Sequence, residues 1–211
     1  MLVVKDENLA LFELVAVFAT ASLFYLVSLP TFLAISLAIW LGYLIITIGV
    51  VSSQQRQGFL QKIGIVWPSW KKTWGHYLLM ASALLIFIIY GLSLKHRSSK
   101  IYQGSHFKFT LLLYPIYGLA QMFFFQSVIT RRLRGLIHDS LLIVIGALLF
   151  SAFHLKDCCE LLLLTLVLGG YYTYFYLNHR SILPLALFHG IFATVYYYLF
   201  RQVDVMDKLI L

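Results

Sequence analysis

Seven windows of the chain are apolar enough to enter a lipid bilayer as helices: 9–29, 32–51, 76–94, 109–129, 141–155, 161–177 and 182–200. A hydrocarbon layer of roughly 30 Å takes about 20 helical residues to cross. Lipid offers backbone amides and carbonyls no partners, so each crossing must satisfy its own hydrogen bonds, and only a helix or a closed barrel does so. Composition agrees: 61% of the 211 residues are hydrophobic and 11% charged, with a mean hydropathy of +0.87, whereas soluble domains are roughly half apolar and a quarter charged. These observations predict an all-α, multi-pass transmembrane bundle of about seven helices, with residues 1–211 forming a single integral membrane domain. Windows 141–155 and 161–177 are short, so a tilted or partly inserted segment, and six or eight crossings, stay open. No internal repeat, low-complexity tract or soluble domain interrupts the pattern.

The chain begins MLVVKDENLALFEL, with Lys5, Asp6 and Glu7 where a secretory signal would carry a basic stretch. The first window is therefore expected to be retained. It holds Glu13, the one acidic residue inside any window. With seven crossings, nine Lys and Arg residues fall on the N-terminal side and seven on the other, an excess that favours an N-inside arrangement only slightly.

A net charge of +8 invites nucleic acid as a partner. Here the cations are scattered through short loops without a basic domain, so anionic membrane lipid is the expected partner and nucleic acid is not. The segment QKIGIVWPSWKKTWGHY mixes Trp67, Trp70 and Trp74 with Lys62, Lys71 and Lys72, the composition of a chain lying at headgroup depth. Cys158 and Cys159 are adjacent, which suits neither a disulfide nor a metal ladder.

Polar side chains inside a membrane helix are costly, and those present repay inspection. They are Gln121 and Gln126 in the fourth window, His154 at the end of the fifth and His189 in the seventh. Each alone most often makes an interhelical hydrogen bond worth roughly 0.6–2 kcal/mol. Their order carries more: QMFFFQ, then Phe150-Ser-Ala-Phe-His154, then LPLALFHG around His189. Over about 110–200 this resembles the CPBP or Abi family of CaaX-processing and bacteriocin-processing intramembrane endopeptidases, whose motifs are E-E-x-x-x-R, F-x-x-x-H and H-x-x-x-N/D on successive helices. Phe150, His154 and His189 match. Gln121, Met122 and Gln126 stand where the first motif has Glu, Glu and Arg, and Ala193 where the third has Asn or Asp.

The resemblance implies that the first glutamate and the second-motif histidine activate water, and that the third motif binds the oxyanion. It thus implies His154, His189 and Gln121 as the catalytic set, with Gln126 and Glu13 as secondary polar residues. A glutamine can hold water but does not take its proton. Loss of a general base typically costs about 10²- to 10⁴-fold in rate, and loss of an oxyanion donor about 10²- to 10³-fold. Met122 and Gln126 are one helical turn apart, so replacing both members of a Glu–Arg pair leaves no orphan charge in lipid. Asp157 and Glu160 follow His154 but are expected at the membrane edge. Glu13 is expected as a protonated or hydrogen-bonded acid rather than a catalytic one, and His154 can itself serve as base. Two histidines without a matching carboxylate or thiolate make a poor metal set, so no metal and no other cofactor is expected. The leading reading is an intramembrane endopeptidase acting on a membrane-associated peptide or lipidated protein. The alternatives are a non-catalytic membrane scaffold of the same fold, binding a peptide, lipid or membrane-protein partner, and a small transporter or channel. A bacterial inner membrane is the expected location.

Overall fold

A computed structural model of the protein describes residues 13, 15–17, 19–20, 22–23, 26–27, 29–50, 53–97, 106–155 and 159–203. Lys5, Asp6, Glu7, Asp157 and Cys158, all considered above, lie outside the described residues.

Seven helices follow the first window, whose described residues are themselves largely helical. They are α1 (Leu29–Val50), α2 (Ser53–Lys62), α3 (Trp70–Arg97), α4 (Phe107–Met122), α5 (Asp139–Ala152), α6 (Cys159–His179) and α7 (Leu183–Tyr196). Helix α4 runs on through a π-helical stretch, Phe123–Thr130, into a last turn, Arg131–Leu133. Helix α7 likewise continues as a π-helical turn, Tyr197–Arg201, and Gln202 ends it in the left-handed region at φ 51°. Four of these stretches, Trp70–Leu94, Phe107–Leu133, Glu160–His179 and Leu183–Arg201, are long and apolar enough to cross a membrane. The protein is a helical integral membrane bundle.

Three details differ from the sequence reading. The sixth window, read as short, is the 21-residue α6. Helix α2 was not anticipated, because SQQRQGFLQK shows no apolar stripe and reads as a loop. The tryptophan segment is mostly helix: α3 starts at Trp70 and runs for 28 residues, which at ~1.5 Å per residue is about 42 Å. Leu78, Leu79, Leu85, Ile86 and Ile89 point outward from α3, a liability in water but the ordinary surface of a lipid-facing helix.

Packing is most extensive between α5 and α6 and between α4 and α7. Small residues make the second contact close. A Cβ on Gly190 of α7 would lie 2.5 Å from Pro115 Cα, and one on Gly118 of α4 would lie 2.6 Å from the Ala186 carbonyl oxygen. Such near-backbone approach is how membrane helices gain dispersion contacts where no hydrophobic force draws them together. Pro115, which removes a ladder hydrogen bond from α4, thus sits against the helix that carries His189.

The core is aromatic. Trp40, Phe123, Phe150, Tyr172, Phe175 and Tyr176 are almost wholly buried, with Trp40 against Phe124 at 4.7 Å between ring centroids. Trp40 Nε1 donates to Thr20 Oγ1 at 2.9 Å and so ties the first window to α1. At the C-terminal end of α4 the short connections lock together. Ser127 donates to the Ile63 carbonyl, the Ile182 amide to the Gly64 carbonyl at 2.9 Å, and Arg134 Nη1 to the Leu177 carbonyl at 2.9 Å.

Candidate functional site

Helix α5 ends at Ala152, and His154 lies in the turn that follows, its amide bonded to the Ser151 carbonyl at 2.8 Å. Its ring folds back so that Nδ1 stands 2.9 Å from the Phe150 carbonyl oxygen. A carbonyl only accepts, so Nδ1 carries the proton and in the neutral ring the lone pair belongs to Nε2. The spacing of four residues between Phe150 and His154 has a direct physical use: the phenylalanine backbone fixes the tautomer of the histidine.

His189 sits one residue before Gly190, in the part of α7 that approaches α4 most closely, and is 4% exposed. Its Nδ1 lies 3.5 Å from the Tyr172 hydroxyl of α6, at the outer limit of a hydrogen bond. The Phe150 ring packs against both histidines, 5.3 Å from His154 and 5.4 Å, edge to face, from His189. Three helices therefore set the pair: α5 supplies the Phe150 ring and leads into the turn that carries His154, α7 supplies His189, and α6 holds its hydroxyl partner.

Both histidines line one small, partly open cavity of about 20 Å³, together with Tyr114, Thr165, Ala193 and Tyr197. That is enough for a single water, for which about 10–15 Å³ suffices. Residues 103–195 match a family model described as type II CAAX prenyl endopeptidase, Rce1-like.

That segment is similar to the Rce1-like family. It spans somewhat under half of the chain. No curated protein and no solved structure was found to match the chain.

Within the Rce1-like segment the other polar residues have separate positions. Gln121 is not among the residues lining the cavity. It is half-buried, and its Oε1 is buried with no hydrogen-bond partner among the described residues. Gln126 is 1% exposed and spans two helices: its Nε2 donates to Thr173 Oγ1 of α6 at 3.4 Å, and its Oε1 accepts from Thr130 Oγ1 at 3.1 Å. The Thr130 hydroxyl also donates to the Phe125 carbonyl, five residues back, the spacing of a π-helical turn. Gln126 thus holds the widened part of α4 to α6.

Glu13 is far from the histidines. Its Oε1 accepts from Arg131 Nη2 at 2.9 Å and from the Tyr43 hydroxyl at 2.8 Å, and its Oε2 accepts from Arg132 Nε at 2.6 Å. Arg131 follows the cavity residue Tyr114 by seventeen positions on one continuous helix, roughly 25 Å along its axis. Of the two expectations for Glu13, protonated or hydrogen-bonded, the structure shows the second: it is bonded to Tyr43 and paired with Arg131 and Arg132 at that distant end. Glu160, in the first turn of α6, is exposed.

Sequence reasoning passed over the cavity's hydroxyls. Tyr114 and Thr165 each line it, and Tyr114 precedes Gln121 by seven residues, which is the same face of α4 two turns earlier. That periodicity was the available signal. Thr194, beside Ala193, spends its hydroxyl on the Gly190 carbonyl at 2.8 Å.

Proposed function

We propose that the protein is an intramembrane endopeptidase of the CAAX-processing type, working with a histidine pair in place of the family's carboxylate. One observation carries this reading: His154 and His189, 35 positions apart in sequence, line the same water-sized cavity. In the reaction, a water held there attacks the scissile carbonyl carbon while His154 Nε2 takes its proton. The C–N bond then breaks, and the same proton passes to the departing amine, giving a carboxylic acid and an amine, between which the acid's proton then moves to leave a carboxylate and an ammonium. His189 serves the oxyanion: with the Tyr172 hydroxyl donating to Nδ1, the neutral ring carries its proton on Nε2 as a donor. Gln121 positions water or substrate from outside the cavity wall. The substrate class is a membrane-associated peptide or the lipidated end of a protein.

A second reading, a non-catalytic scaffold of the same fold that binds such peptides, draws on a different observation. Glu13, the one acid between residues 8 and 138, is fully engaged by Arg131 and Arg132. Among the described residues, no carboxylate lines the cavity.

New protein N-termini in cells expressing the wild type or His154→Ala, matched for abundance in the membrane, separate the two. Termini that depend on His154 support the endopeptidase and identify its substrate. Identical termini, together with undiminished capture of a membrane peptide by His154→Ala, support the scaffold.

A further inference from the structure

Away from the histidines, a second and much larger hollow opens sideways between α3 and α7. Its volume is about 490 Å³, within the roughly 300–1,000 Å³ of small-molecule sites. Trp67, Pro68, Trp70, Tyr77, Ala81 and Phe188 line it, and the stacked rings of Trp70 and Tyr77, 5.0 Å between centroids, form one wall. Trp67 and Trp70 are 62% and 69% exposed, which places amphipathic indoles at the mouth, where such rings occupy the headgroup layer.

The mouth is also positive. Trp70 is the first residue of α3, so the partial positive charge of a 28-residue helix is directed there. The exposed Lys71 and Lys72 follow directly. No acidic residue occurs from Leu14 to His138, so no acid on α1 to α4 competes for these cations.

We propose that this groove is a seat for one anionic phospholipid, its acyl chain between α3 and α7 and its phosphate at the N-terminal turn of α3 beside Lys71 and Lys72. An apolar hollow alone would take any chain. The cationic rim selects a headgroup, and each interfacial lysine strengthens attraction to anionic lipid. Buried methylenes supply the rest of the affinity.

The test uses the full chain in nanodiscs of mixed phosphatidylcholine and phosphatidylglycerol, followed by release into mild detergent and native mass spectrometry. Expected is one retained phosphatidylglycerol per chain. Lys71→Gln with Lys72→Gln, a surface change that leaves the bundle intact, should lower the phosphatidylglycerol preference about tenfold. Ala81→Trp, which fills the groove, should abolish retention of either lipid. Retention without headgroup preference, a preference unmoved by the lysine pair, a dimer mass without phospholipid, or displacement by a neutral isoprenoid chain at equal affinity would each overturn the proposal. The histidine cavity takes no part in this binding, so its outcome is independent of whether the protein cleaves peptides.

Discussion

Arg131 Nη2 lies 2.9 Å from Glu13 Oε1, joining the C-terminal end of α4 to a window 118 positions earlier in sequence. Both side chains are largely buried, 12% and 6% exposed, whereas Arg132, the second partner, is 39% exposed. Breaking a buried pair from one side costs about 3–5 kcal/mol because the remaining charge is stranded, and an exposed partner adds little. Glu13→Gln should therefore destabilise the protein by about 3 kcal/mol. A double-mutant cycle with Arg131→Gln, read by thermal unfolding in detergent, should return a coupling above about 1 kcal/mol. Additive single effects would show that the pair contributes nothing.

Gln126 has two partners, but each keeps another bond without it: Thr173 donates to the Gly169 carbonyl at 3.0 Å and Thr130 to the Phe125 carbonyl at 2.9 Å. Gln126→Leu should accordingly cost only about 1 kcal/mol and leave any His154-dependent cleavage intact. A loss of cleavage at full stability would instead give Gln126 a role in the chemistry.

At Gly190 the obstacle to a side chain is the backbone of Pro115, which cannot rotate aside. Gly190→Ala should force α7 away from α4, costing about 1–3 kcal/mol or more. His189 is the adjacent residue, so peptide binding or cleavage should fall even at temperatures where the variant is folded. Parallel measurements of unfolding and activity check this.

Ala193 lines the cavity one turn beyond His189 and offers no side-chain donor of its own. Ala193→Asn installs one. If the cavity hydrolyses peptides, the rate should rise by up to about 10²-fold, measured as accumulation of His154-dependent N-termini. A scaffold would show no product.

Much of this architecture was legible as composition. The window 32–51 became Leu29–Val50, and 182–200 became the span Leu183–Arg201, because a run of apolar side chains in lipid has no alternative to a helix. Polar elements escaped: nothing in SQQRQGFLQK announces α2, whose helicity has no apolar face to advertise it. The convergence of His154 on His189 was legible only through a motif, since periodicity orders residues along one helix and says nothing about which helices touch. The Glu13–Arg131 pair and the Gln126–Thr173 bond, 118 and 47 positions apart, left no local trace for the same reason.

Helix α5 has 14 residues, about 21 Å at ~1.5 Å per residue, against a hydrocarbon layer of roughly 30 Å. The chain therefore turns at Phe153 and His154 before reaching the far surface of an unperturbed bilayer. Such a shortfall is met by thinning of the surrounding lipid or by drawing headgroups inward. Lipid thinned to meet so short a helix would bring the cavity at its end, lined by His154, nearer to water than the middle of a full-length span.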